Sequence, residues 1–136
     1  QPLSIKQENI NFSGCAIECR ILAEDSQDDF RPSPGLIENA IFPGGLGVRV
    51  DTHIYSQYIV PPHYDSLLAK IIVWAPTRRE AICKMRVALE GCMIVGVSTN
   101  IELQYLLMHN PDFVRGVYAT DFMTEFVRLV KEAQNE

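Results

Sequence analysis

The sequence predicts an α+β fold, with an antiparallel or mixed β-sheet in its N-terminal part followed by three helices packed on it. Three observations carry this. Residues up to about 75 are written in the two-residue alternation of strands. From Pro76 onward, apolar residues recur at helical spacing between capping signals. Strands followed by helices, instead of strands alternating with helices, set the chain apart from the βαβ class.

The elements follow in order. "CAIECRIL" alternates and predicts a first strand, and the acids and prolines of "AEDSQDDFRPSPG" predict a loop. "LIENAIF" reads as a second strand, "PGGLG" as a hairpin turn, and "VRVDTHIY" as a third strand. "YIVPP" is a short fourth strand that its prolines terminate. "DSLLAKIIVWA" is nearly continuous in apolar residues and predicts a fifth strand buried on both faces.

"TRREAICKMRVALEG" predicts the first helix, with Thr77 as N-cap, Glu80 as its capping-box partner and Gly91 as the stop. Ile82, Met85, Val87, Ala88 and Leu89 form its apolar side, with Arg78, Arg79, Lys84 and Arg86 largely elsewhere. "STNIELQYLLMHNPDF" predicts a second helix capped by Ser98 or Thr99 and ended at Asn110 and Pro111. "TDFMTEFVRLVKEAQ" predicts a third, with Thr120 as cap and Lys131 near its end.

The 136 residues suit one domain, and 47% apolar residues can bury a core without disulfides or a metal. A net charge of −5, with no lysine or arginine run, weighs against nucleic acid and anionic membranes as partners. The apolar runs are shorter than a membrane span and no secretory signal opens the chain, which predicts a cytoplasmic protein. Cys15, Cys19, Cys83 and Cys92 lack zinc or redox spacing and read as reduced core thiols. His53, His63 and His109 are scattered without metal spacing, so no metal site is expected.

Chemistry concentrates at Arg20 in mid-strand, Arg49 after the glycine turn, and Tyr64, Asp65 and Lys70 around the fifth strand. A planar, permanently charged guanidinium suits carboxylate, phosphate or bicarbonate. Each also has a plainer reading. Arg20 and Arg49 fit a solvated face or structural ion pair, Asp65 fits a turn, and Lys70 fits solvent.

The blocks "GCAIECRILAED", "RPSPG", "FPGGLGVRVD", "VPPHYDSLLAKII", "GVSTNIELQ" and "TDFMTEF" resemble the C-terminal domain of biotin carboxylases in order and spacing, from Gly14 to Phe126. The resemblance is strongest to the biotin carboxylase component of bacterial acetyl-CoA carboxylase, and pyruvate, propionyl-CoA and methylcrotonyl-CoA carboxylases share several blocks. It implies a partly open barrel with helices against it. It implies an enzyme that uses ATP and magnesium to activate bicarbonate as carboxyphosphate. The enzyme then carboxylates biotin on a biotin carboxyl carrier protein, ahead of carboxyltransferase subunits and fatty acid synthesis.

By the same resemblance Arg20 is the catalytic arginine, at the bicarbonate or biotin end of the site, stabilising charge on the ureido oxygen of deprotonated biotin. Asp65 lies beside the biotin pocket with Tyr64 as its neighbour, and Phe122 closes over the adenine. Leu46 and Arg49 match the interface of a homodimer, and leucine where phenylalanine is familiar implies weaker dimerisation. The family's phosphate loop, magnesium-binding glutamates and catalytic base belong to domains upstream of this one. The 136 residues therefore read as a fragment that binds no cofactor and turns over nothing alone. The alternative is a non-catalytic module for dimerisation or carrier docking.

Overall fold

A computed structural model describes residues 3–134. Its strands are β1 (Cys15–Leu22), β2 (Glu24–Asp25), β3 (Arg31–Pro32), β4 (Gly35–Leu36), β5 (Asn39–Ile41), β6 (Val48–Thr52), β7 (Ile59–Val60), β8 (Leu67–Ala75) and β9 (Met93–Val95). The helices are α1 (Arg78–Glu90), α2 (Ile101–His109), α3 (Pro111–Arg115) and α4 (Phe122–Gln134), with one 3₁₀ turn at Gln7–Asn9. The fold is α+β, and every ladder is antiparallel.

β1, β8 and β6 form the main sheet in the order β1–β8–β6. Alternation sends Ile17, Cys19 and Ile21 of β1 and Ala69, Ile71, Val73 and Ala75 of β8 to the inner face. There they meet Ala81, Ile82, Met85, Ala88 and Leu89 of α1, then Leu103, Leu107 and Met108 of α2 and Phe126 of α4. A second, smaller core gathers Ala23, Ile37, Ile54, Val60 and Leu68.

One bulge links the two cores. Ile21 pairs with Ala69 but Leu22 pairs with Leu67, so β8 carries Leu68 as an extra residue. That insertion turns Leu68 into the second core while Ala69 stays in the first. The Leu68 carbonyl accepts a hydrogen bond from Thr52 Oγ1 at 2.7 Å. A buried carbonyl left by the interrupted ladder thus keeps a partner.

Several expectations are corrected. "PGGLG" is a turn but not a hairpin, because β5 pairs with β9 and β6 with β8. "LIENAIF" divides into β4 and β5 on different partners, since the buried Ile37 between them donates its N–H to the Tyr58 carbonyl. The predicted loop after β1 holds the short β2–β3 ladder. β8 buries one face fully and leaves Trp74 exposed on the other.

In α1, Thr77 and Glu80 form the expected capping box, but Val87 is exposed because the buried stripe runs through 81, 82, 85, 88 and 89. Cys83 is exposed for the same reason, and Cys15 is only half-buried, so two of the four thiols are core residues. Ser98 and Thr99 do not cap α2, whose N-cap position is Asn100. Asn110 ends α2 and caps a fourth helix, α3, accepting from the N–H groups of Asp112 and Phe113. α4 begins at Phe122, which leaves Thr120 one residue short of its capping position.

Candidate functional site

The outer face of the main sheet carries the charges. Arg20 of β1 stands opposite Lys70 of β8, and Lys70 stands opposite Asp51 of β6. The next row is Glu18, Ile72 and Arg49. Arg20 is exposed, Lys70 is half-buried, and neither makes an ion pair with an acid within 4.0 Å among the described residues. Like charges directly opposite on a ladder destabilise it, so two cations held this way favour an anion between or above them.

Asp51, opposite Lys70, is engaged by Arg49 with both prongs, Nε to Oδ1 at 2.8 Å and Nη2 to Oδ2 at 2.7 Å. That pairing holds the Asp51 carboxyl below its ordinary range, with the charges of Arg49 and Lys70 adding and desolvation opposing. The Arg49 guanidinium is raised by the same hydrogen bonds. The pair is exposed and its contribution to stability is small.

Asp65 is exposed at the start of β8, where its Oδ1 accepts from the Leu67 N–H at 2.8 Å. This is the turn role that the plain reading gave it. Since Leu67 pairs with Leu22, the turn sits at the same end of the sheet as Arg20. Tyr64 is also exposed and lines a cleft of about 290 Å³ with Arg31, Val60, Pro61, Pro62 and Ser66. Within it, Ser66 Oγ donates to Glu24 Oε1 at 2.5 Å.

Phe122 sits elsewhere, in a ladder of rings on the helical side. It lies 5.7 Å from Tyr118 and stacks on Phe126 at 5.9 Å, so it takes part in the packing of the helices. Leu46 is 96% exposed at the tip of the glycine turn. The turn itself is moored to α1, since Lys84 Nζ donates to the carbonyls of Leu46 at 3.0 Å and Trp74 at 2.8 Å. Arg49 and Leu46 therefore share one edge of the sheet, beside β6.

Arg20, Lys70, Asp51 and Glu18 thus come together on one face, with Asp65 at the same end of the sheet as Arg20, while Tyr64 lines the cleft beside Ser66. Phe122 belongs to a different part of the molecule. Sequence reasoning missed Asn100, which bonds to the backbone beneath Arg20. A signal existed, because Asn100 is the amide just before an apolar helix, but Ser98 or Thr99 reads as the cap in its place. Among the described residues, no group of three or more His, Cys, Asp or Glu side chains could hold a metal ion. No helix of the described residues is long and apolar enough to cross a membrane.

Comparison with known proteins places this chain in a family. The model of the biotin carboxylase C-terminal domain matches residues 18–125. The chain is 48% identical to the biotin carboxylase of Nostoc sp. over 123 residues, covering 90% of this chain and 28% of that protein. It is 46% identical to a pyruvate carboxylase subunit from Methanothermobacter thermautotrophicus over 142 residues, covering 98% of this chain and 29% of that protein. It superposes on the biotin carboxylase domain dimer of Hydrogenobacter thermophilus 2-oxoglutarate carboxylase, in complex with MgADP, ADP and bicarbonate, at a TM-score of 0.90. Identity to that structure is 46%, over 92% of this chain and 28% of the other. The chain therefore spans between a quarter and a third of the length of these relatives, and with its charged sheet face and its match over residues 18–125 it belongs to the biotin carboxylase C-terminal domain family.

Proposed function

We propose that the chain forms one wall of the active site of an ATP- and bicarbonate-dependent biotin carboxylase, the ligase that carboxylates biotin on a carrier protein. The observation that carries the reading is the cross-strand pair Arg20 and Lys70, two cations on a rigid sheet with no acid in ion-pair distance of either among the described residues. Deprotonation of the biotin ureido nitrogen places negative charge on the ureido oxygen. A fixed guanidinium at that oxygen stabilises the charge without reorganising as it develops. Arg20 is assigned that role.

Asp65 and Tyr64 are assigned to the biotin end of the site, and Phe122 to the adenine. Leu46 and Arg49 form part of a homodimer contact, with Arg49 already oriented by Asp51. In this reading bicarbonate attacks ATP to give carboxyphosphate and ADP, and the carboxyl group then passes to the ureido nitrogen with release of phosphate. In this reading the magnesium site and most of the nucleotide contacts belong to domains upstream of this one, as the family resemblance implies. The proposed setting is the first half-reaction of acetyl-CoA carboxylase, in the cytoplasm, with carboxyltransferase subunits downstream. The 136 residues alone would turn over nothing.

The test is Arg20→Ala in the full-length gene product, read as ATP hydrolysis that depends on both bicarbonate and biotin. The rate is expected to fall by about 100-fold, the order seen when one oxyanion donor is removed, with KM for ATP close to wild type. An unchanged rate would remove Arg20 from the chemistry and leave the chain a dimerisation or carrier-docking module.

A further inference from the structure

β1 is an edge strand, paired with β8 on one side only. On its other side the backbone groups of residues two apart point the same way and need partners. Where Arg20 and Leu22 present theirs, a single residue supplies them. Asn100 Nδ2 donates to the Arg20 carbonyl at 3.1 Å, and its Oδ1 accepts from the Leu22 N–H at 2.9 Å. The Asn100 backbone N–H also donates to the Leu22 carbonyl at 3.3 Å.

Asn100 is 4% exposed, and it is the sole polar residue in the buried class among the described residues. It occupies the N-cap position of α2, yet its side chain makes no capping bond there. An asparagine so placed ordinarily accepts from its own helix and adds about 1 kcal/mol of stability. Here the amide is turned away from the helix and spent on the strand.

The bulge at Leu68 interrupts the β1–β8 ladder between Ile21 and Leu22, so the segment after Arg20 has a weakened hold on its only neighbouring strand. A bulge of this kind re-aims nearby side chains unless the backbone is fixed from another direction. Asn100 fixes it from the opposite edge, on both sides of Ile21.

We infer that Asn100 is a positioning residue, which clamps the β1 backbone at Arg20 and Leu22 and so sets the direction of the Arg20 guanidinium. This rests on the assignment of Arg20 to the ureido oxygen. Asn100 is buried and bonded to the β1 backbone, so it acts through Arg20. A displacement of about 1 Å at a catalytic group is enough to cost up to 100-fold in rate.

The experiment compares Asn100→Ala, Asn100→Asp, Arg20→Ala and Met108→Ala in the full-length gene product. Met108 is a control, because it is buried in the same helix but bonds to nothing in β1 through its side chain. Rates are taken below the melting transition of every variant, with KM for ATP and hydrogen exchange of the peptide covering residues 20–24.

Asn100→Ala is expected to lower kcat for biotin-dependent turnover by about tenfold, with KM for ATP near wild type and faster exchange at the end of β1. Asn100→Asp keeps the acceptor for the Leu22 N–H but sets a buried carboxylate oxygen against the Arg20 carbonyl, so its loss is expected to be at least as large. Met108→Ala is expected to lower the melting temperature and leave kcat intact. Wild-type kcat in both Asn100 variants, beside an impaired Arg20→Ala, overturns the inference and leaves the role of Arg20 standing. Equal losses in Asn100→Ala and Met108→Ala also overturn it, by reducing the effect to stability. If the alanine variant does not fold, Asn100→Asp decides, and an unchanged rate there is fatal. Failure of the reading beneath it has a different signature, an active Arg20→Ala enzyme.

Discussion

Burial holds the thiols of Cys19 and Cys92 in their protonated form, pushing them from an ordinary value of 9.0 up to about 12 and about 11. For Cys19 desolvation leads and the charge of Glu18 adds. A raised thiol favours the folded state's neutral form, so its contribution is intact below pH 9 and is lost as pH rises toward the folded value. Above pH 9 the unfolded chain releases the proton and the folded chain does not, which costs about 1.4 kcal/mol per pH unit for each thiol. Stability measured by urea unfolding should therefore decline from pH 9 upward, and Cys19→Ala should flatten the decline. At neutral pH in the folded protein, alkylation followed by mass spectrometry should label the exposed Cys83 and spare Cys19 and Cys92. The sequence showed that the cysteines lack metal spacing, but a cysteine one position off a helical stripe looks apolar in either place. The outward placement of Arg20 was legible because it holds an exposed position of the β1 alternation, in phase with Glu18. Asn100 was not, because an amide before a helix has the same letters whether it bonds forward to the helix or sideways to a strand.

Elements were legible where local chemistry alone decides them. Thr77 and Glu80 bond reciprocally, with the Thr77 N–H donating to Glu80 Oε2 at 3.0 Å and the Glu80 N–H to Thr77 Oγ1 at 3.3 Å, and α1 starts where the sequence placed it. Short strands were harder, because their partners lie far along the chain. β9 is an example: its three residues pair with β5, more than fifty positions earlier. The close approach that permits this pairing is made by Gly96, where φ is +108° and an added Cβ would overlap the Leu36 carbonyl oxygen and crowd the Glu38 N–H. Gly116 is also left-handed, at φ +76°, but faces open space. Gly116→Ala is expected to cost about 1–2 kcal/mol from backbone strain alone. Gly96→Ala should cost clearly more, since two backbone groups must move, and the difference would appear as a larger drop in melting temperature. Equal drops would mean that the β5–β9 contact yields freely.

At the scale of the molecule, β8 faces both cores, with Leu68 in the smaller and Ala69, Ile71, Val73 and Ala75 in the larger. Neither core can lose its order without releasing the strand that the other needs. Unfolding is therefore expected to be a single transition. Fluorescence of Trp74, the only tryptophan, and far-UV circular dichroism should give the same urea midpoint, and separate midpoints would mean that the cores melt independently. The α+β class was legible because the change from strand to helix period is abrupt at Pro76. The division into two cores was not, since it depends on one inserted residue in a ladder. The same ladder has a consequence in time. Cys15 pairs with Ala75, sixty residues later, so at a synthesis rate of about 5–20 residues per second β1 exists for roughly 3–12 s before its partner has been made. During those seconds the nascent chain carries an unpaired strand that only a chaperone or the ribosome surface can shield, and slow codons between the two strands would lengthen the exposure.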